Sequence, residues 1–225
     1  MYTNSQIKEI FDIVNTNRYD TSNTKDKIVS MIFLESSTRT KYSFISAAYK
    51  MGMKVIDFSK EDSSMQKGES IEDTIKTMSI YSDVIILRTN TQIPNYISTL
   101  QTNIPIINAG SGSFDHPTQA LIDLYTIIHE TNTHEINITF IGDIEHSRTI
   151  KSLVQILSIY NDKTYKIRYV GTDMNIDILE NTDILYATRI QKERHAPGTI
   201  VEDYVIDMKY VKTFKKNNYN ASRSA

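Results

Sequence analysis

Ile28-Val29-Ser30-Met31-Ile32-Phe33-Leu34-Glu35-Ser36-Ser37-Thr38-Arg39-Thr40 is the stretch on which the fold turns. Residues 28–34 form an apolar run of strand length, and a helical pattern follows over 38–49 with Phe44, Ala47 and Ala48 on one face. A strand that is apolar on both sides of its one hydroxyl, Ser30, rather than alternating, suits burial on both faces, as in a parallel sheet. Hydroxyls and one guanidinium fill the joint between strand and helix. A helix start offers free N–H groups and the positive end of its dipole. Ser and Thr add donors and Arg adds a charged fork, so Ser37-Thr38-Arg39-Thr40 suits a phosphate. A plain helix cap needs one such residue; four polar residues around an arginine favour the anion site.

The same alternation runs outward in both directions. Ile7, Ile10, Phe11 and Val14 stand at helical spacing upstream. Downstream, residues 54–58, 83–87 and 104–108 read as strands. Ile71, Ile75 and Met78 mark a helix, and 116–129 another with Leu121, Leu124, Tyr125 and Ile128 inward. A second α/β series follows: strand 136–141, helix 147–157, strands 165–170 and 183–187. This predicts an α/β protein of two parallel-sheet domains, 1–133 and 134–225, with the boundary near 131–135. No internal repeat is visible, and the tail from Lys215 reads as polar and frayed. In such sheets ligands sit outside the carboxyl ends of the strands.

Composition narrows the function classes. The 225 residues are 40% hydrophobic and carry a net charge of −2, so no basic excess calls for nucleic acid or an anionic membrane. There is no cysteine, which excludes disulfides, thiolate metal sites and a cysteine nucleophile. Apolar runs such as 84–87 are too short to span a bilayer, and the N-terminus lacks a signal-peptide pattern. The expectation is a soluble cytoplasmic protein.

Five further clusters carry possible chemistry. Asn108-Ala109-Gly110-Ser111-Gly112-Ser113 leads to His116-Pro117-Thr118-Gln119 at a helix start, with Pro117 suited to the first helical position. Taken alone, this is as good a capped helix as a site. Asp62 to Glu69, with Ser63 and Lys67, is by itself a solvated loop. Arg88 ends an apolar strand, a common place for a ligand contact and also for a surface arginine. Gly142-Asp143, with Arg148 following, lacks the G-x-G-x-x-G pattern, so a dinucleotide site is rejected. Thr188-Arg189-Ile190-Gln191-Lys192-Glu193-Arg194 follows another strand and on its own reads as a charged helix start.

In combination these motifs reach a family. Ser-Thr-Arg-Thr, Lys-Gly-Glu-Ser, His-Pro-Thr-Gln and Thr-Arg-Ile-Gln-Lys-Glu-Arg, in that order, resemble the transcarbamoylases, and more narrowly the catalytic chains of aspartate carbamoyltransferase. The resemblance covers about residues 1–210. Ornithine-specific relatives share the first motif and His-Pro-x-Gln, but lack the Asn-Ala-Gly approach and the Thr-Arg-x-Gln-Lys-Glu run.

The resemblance implies transfer of the carbamoyl group of carbamoyl phosphate to the amine of L-aspartate, an early step of pyrimidine synthesis, with no metal or cofactor. It implies that Ser37, Thr38, Arg39 and Thr40 hold the phosphate. Thr40, Arg88 and His116 face the carbonyl oxygen, and Gln119 holds the carbamoyl amide. Arg148, Arg189 and Gln191 hold aspartate. It implies a homotrimer in which Ser63 and Lys67 enter the neighbouring subunit's site, Lys67 also reaching aspartate there, and leaves room for a regulatory or full-length partner chain. Ser36 stands where the family usually has Pro, and Thr89-Asn90 where His-Pro is common. The second domain is shortened against the pattern: the stretch from Val170 to Asp183 is brief, and no His-Pro-Leu-Pro-Arg motif occurs in the 225 residues. Two readings follow, a compact working transferase and a homologue that binds carbamoyl phosphate or joins other chains without turnover.

Overall fold

The computed structural model describes residues 2–16, 21–61, 63–93, 100, 102–172, 179, 181–192, 195 and 204–208. Asp62, Glu193, Arg194, the 173–178 stretch and the tail lie outside these. The chain divides into two compact units, Glu9–Thr118, and Met1–Lys8 together with Gln119–Ala225. A helix, α1 (Asn4–Thr16), opens the chain; Ile7 and Phe11 are buried, whereas Val14 is exposed.

In the unit Glu9–Thr118, β1 (Ile28–Phe33), β2 (Lys54–Phe58), β3 (Val84–Thr89) and β4 (Ile106–Ser111) form a parallel sheet in the order β2-β1-β3-β4. The chain passes from β1 through α2 (Thr38–Lys50) to β2 on one side. It then returns through α3 (Ile71–Tyr81) to β3 on the other. This reversal sets the carboxyl ends of β1 and β3 side by side, the topological switch point at which open α/β sheets bind ligands. Phe33 is in register with Arg88, and the Leu34 N–H donates to the Arg88 carbonyl at 2.9 Å.

Both faces of this sheet are covered. Val29, Met31, Ile86 and Ala109 pack with Ala48, Phe44 and Ile45 of α2; Ile32, Ile85 and Leu87 pack with Ile75, Ile71 and Met78 of α3. The inward line of α2 is therefore Phe44, Ile45 and Ala48, of which Ala48 is buried and the other two half-buried. Ala47, expected inward, is exposed; with Ile45 packed inward, the covered face turns to the other side of Phe44 and Ala48 from Ala47. The fourth strand also begins later than its apolar residues suggest. Pro105 has no N–H to donate and gives only its carbonyl to Ile85, at 3.0 Å, so the ladder starts at Ile106.

In the second unit, β5 (Glu135–Ile141) lies between β6 (Thr164–Gly171) and β7 (Ile184–Ala187), all parallel. The helix α4 (Pro117–Glu130) precedes this sheet, and α5 (Arg148–Ile159) connects β5 to β6. Ile136, Ile138 and Phe140 of the central strand are buried, as are Ile150, Leu153, Ile156 and Leu157 of α5. On α4 the buried line is Ala120, Asp123, Leu124 and Ile127, while Leu121, Tyr125 and Ile128 are half-buried. An inward aspartate, held by hydrogen bonds described below, shifts this face from where apolar residues alone place it. Again the crossover puts two carboxyl ends together: Ile141 is in register with Ala187, and the Thr188 N–H donates to the Ile141 carbonyl at 3.0 Å.

Candidate active site

At the first switch point, the turn after β1 leads straight into α2. Ser37 takes the N-cap position with extended backbone, yet its side chain makes no cap hydrogen bond. The motif is thus not explained by capping, and the helix start keeps its N–H groups for an anion. Ser37 and Thr40 are half-buried, and Thr38 and Arg39 are exposed.

Arg88 enters this turn from β3. Its side chain is 5% exposed; Nη2 pairs with Glu35 Oε1 at 3.0 Å, and Nη1 reaches Thr40 Oγ1 at 3.4 Å and the Ala109 carbonyl at 3.5 Å. Gly110 sits beneath it with φ 120°, where the ladder from β3 to β4 shifts register. A Cβ there would lie 3.4 Å from Arg88 Nη1 and 3.6 Å from His116 Nε2. The bare glycine backbone therefore lets guanidinium and imidazole share one side of the turn. The loop before His116 is tied down by Asp115, which accepts from Asn108 Nδ2 at 2.9 Å and from the Ser111 hydroxyl, while Asn108 Oδ1 accepts from the Gly110 N–H at 2.7 Å. The sequence alone gives Asp115 and Asn108 no positioning role; their pairing across the glycine loop marks it. Lys67 lies elsewhere in this unit, at the end of a 3-10 turn (Ser64–Lys67), and Ser63 is the residue just before that turn. Ser63 Oγ donates to the Lys60 carbonyl at 2.8 Å, and Lys67 is exposed.

The second unit has its own strand-end cluster. Arg148 is the first residue of α5, which Ser147 caps by accepting from the Ile150 N–H at 3.3 Å. Arg189 follows β7 and is exposed; its Nη1 donates to the Ile190 carbonyl at 3.3 Å. Gln191 is buried and donates its amide to the His146 carbonyl at 3.0 Å. Asp143 joins the two strand ends. It accepts from the Gln191 N–H at 3.0 Å, His146 Nδ1 at 2.9 Å and His195 Nε2 at 2.8 Å. Burial raises its pKa, but the Gln191 N–H and the two imidazoles outweigh that and hold it at about 2. Gly142, with φ 100°, allows this approach: a Cβ there would stand 2.2 Å from the Thr188 carbonyl oxygen. Gln119, in the first turn of α4, donates Nε2 to Asp123 Oδ1 at 2.9 Å, and Tyr186 Oη donates to Asp123 Oδ2 at 2.8 Å. That contact aims the Gln119 amide nitrogen at Asp123 and leaves its carbonyl oxygen as the acceptor for a ligand N–H.

Residues 1–129 match the family described as aspartate/ornithine carbamoyltransferase, carbamoyl-P binding domain. The chain belongs to this family. It is 38% identical over 217 residues to an aspartate carbamoyltransferase catalytic subunit of Saccharolobus islandicus, covering 85% of this chain and 71% of that one. It is 35% identical over 219 residues to the multifunctional protein URA2 of Saccharomyces cerevisiae, covering 86% of this chain but 10% of that protein. The chain thus spans about a tenth of this multifunctional relative. The aspartate transcarbamoylase of Trypanosoma cruzi, solved in complex with carbamoyl phosphate, superposes with a TM-score of 0.82 at 29% identity, over 96% of this chain and 79% of that one. The two parallel sheets are those of a carbamoyltransferase, as the motifs lead one to expect. No helix among the described residues is long and apolar enough to cross a membrane.

Proposed function

We propose that this carbamoyltransferase moves the carbamoyl group of carbamoyl phosphate to the amine of L-aspartate, giving N-carbamoyl-L-aspartate and phosphate. The observation that carries this reading is the grouping of Thr40, Arg88 and His116 about Gly110, next to a helix start whose serine is not spent on capping. Ser37, Thr38, Arg39 and Thr40 bind the phosphate through hydroxyls, helix N–H groups and the guanidinium. Thr40, Arg88 and His116 direct donors at the carbonyl oxygen as it gains negative charge. Gln119, oriented by Asp123, accepts from the carbamoyl NH2. Arg148 and Arg189 hold the two carboxylates of aspartate, with Gln191 assisting.

The amine nitrogen attacks the carbonyl carbon, the carbon–oxygen bond to phosphate breaks, and the departing phosphate takes the proton the amine loses. No protein base is then required. His116 acts as a polarising donor, and the protein contributes position and field. The functional domains are taken as 1–133 and 134–225, the break falling between α4 and β5. A biosynthetic role of this kind places the protein in the cytoplasm. The fit to the family further supports a homotrimer in which Ser63 and Lys67 serve a neighbour's site.

The test is colorimetric detection of carbamoyl-aspartate from purified chain, with Arg39→Ala as control. Turnover is expected, and His116→Ala should lower kcat by roughly 100- to 1,000-fold, the usual loss on removing one donor to a developing oxyanion. Product no greater than the Arg39→Ala control, with carbamoyl phosphate binding retained, would replace the transferase by a homologue that binds without turnover.

A further inference from the structure

The turn after β5 and the segment after β7 bring together three groups that lie 52 positions apart at their extremes, Asp143, His146 and His195. Read as sequence, the chain shows no histidine cluster; the parallel pairing of β5 with β7 creates one. Asp143 Oδ1 faces His146 Nδ1 at 2.9 Å and Oδ2 faces His195 Nε2 at 2.8 Å. The two rings stand 4.2 Å apart, centre to centre, inclined by 50°. The three ligand atoms all lie within 4.8 Å of one another. The side chains are 4%, 32% and 15% exposed in the order Asp143, His146, His195, so the carboxylate is sheltered while one imidazole borders solvent.

We propose that Asp143, His146 and His195 form a binding site for a divalent transition-metal ion with affinity for imidazole, of the Zn2+ or Co2+ type. Two imidazoles and one carboxylate are a donor set that such ions favour over Mg2+ or Ca2+, which prefer all-oxygen shells. The spacing is also right. Bonds of about 2.0–2.2 Å put neighbouring ligand atoms roughly 2.9–3.4 Å apart, depending on the angle. The observed carboxylate–imidazole contacts, 2.9 and 2.8 Å, lie at and just below the short end of that range, so a small outward movement of each ring makes room for the ion. The N–H of Gln191 on Asp143 Oδ2 supplies the outer contact that orients the carboxylate. Three protein ligands leave the ion an open position, and the ion would bind the end of β5 to the segment after β7. The site borders Gln191, which the proposed function gives to aspartate and which bonds both Asp143 and the His146 carbonyl, but the metal-binding inference does not rest on the transfer chemistry.

The experiment is calorimetric titration of the untagged full chain with Zn2+, together with visible absorption of Co2+ added in its place. The expected result is one saturable ion per chain, a ligand-field band for Co2+, and a rise in melting temperature on adding Zn2+. His146→Asn and His195→Asn each keep a hydrogen-bond donor but lose the imidazole. Either should weaken binding by about 100-fold or more, beyond the usual cost of losing an outer-shell partner. His134→Ala, a change outside the cluster, should leave binding unchanged. Circular dichroism melts without metal confirm that the variants fold. Absence of saturable binding by the wild-type chain, or affinity that survives in both asparagine variants, would overturn the site.

Discussion

Tyr186 and Gln119 place two donors on a carboxylate that α4 has turned inward. Burial raises the pKa of Asp123, and the bonds from Tyr186 and Gln119 pull it back only in part. An acid whose folded pKa is raised costs stability while ionised, and that cost fades as pH falls through the folded value. Tyr186→Phe removes one of the donors that make the charge tolerable. It should destabilise the protein by about 1.5–3 kcal/mol at neutral pH, the range for a hydrogen bond to a charged group. The loss should shrink at a lower pH, once the carboxyl has taken up its proton. Urea unfolding at the two pH values measures this, and equal losses would mean that Asp123 is not ionised in the folded state. At this scale the sequence shows Gln119, which a motif picks out. It hides Asp123, because a charged residue in a helical pattern is read as outward. Tyr186 is hidden too, since only the strand order brings it to a residue 63 positions earlier.

Between residue and molecule, the two sheets solve one problem in the same way. β3 and β7 are each introduced by a hydroxyl residue and an aspartate, Ser82-Asp83 and Thr182-Asp183. Asp83 accepts from the Ile28 N–H at 2.8 Å, and Asp183 accepts from the Asn137 N–H at 2.8 Å. Two residues on, the hydroxyl of the central strand meets the incoming one, Ser30 with Ser82 at 2.5 Å and Thr139 with Thr182 at 2.7 Å. Each pair pins the register at which the crossover strand joins. Apolar runs made the strands legible to within a few residues, but this shared device was not, because two dipeptides are too short to register as a repeat. Ser30 and Ser82 are both buried, so Ser30→Ala leaves a hydroxyl without its partner. Each single alanine change should cost about 1–3 kcal/mol, and the double change should cost less than their sum. A double-mutant cycle of unfolding free energies checks this; strict additivity would show that the two hydroxyls do not depend on each other.

For the whole molecule, the trimer reading makes a demand that no single chain can meet. If each site takes Arg39 from one subunit and Lys67 from the next, the interface is heterologous and closes as a ring of three. Light scattering should then give three times the 25.9 kDa chain mass; a monomer would remove the role assigned to Ser63 and Lys67. Arg39→Ala and Lys67→Ala chains should each be nearly inactive alone. In a mixed ring, a site is whole when its own chain keeps Arg39 and the neighbour keeps Lys67. After equal amounts of the two variants are dissociated together and reassembled at random, that holds for about a quarter of the sites. Activity should therefore rise from the level of either parent to about a quarter of wild type. A mixture that stays at the parental level, in rings shown by mass to have exchanged chains, would mean that Lys67 serves its own subunit or none. The sequence leads to this test because Lys67 earns no role from its local structure, an exposed residue at the end of a 3-10 turn. Its function, on this reading, is visible only in the assembled ring.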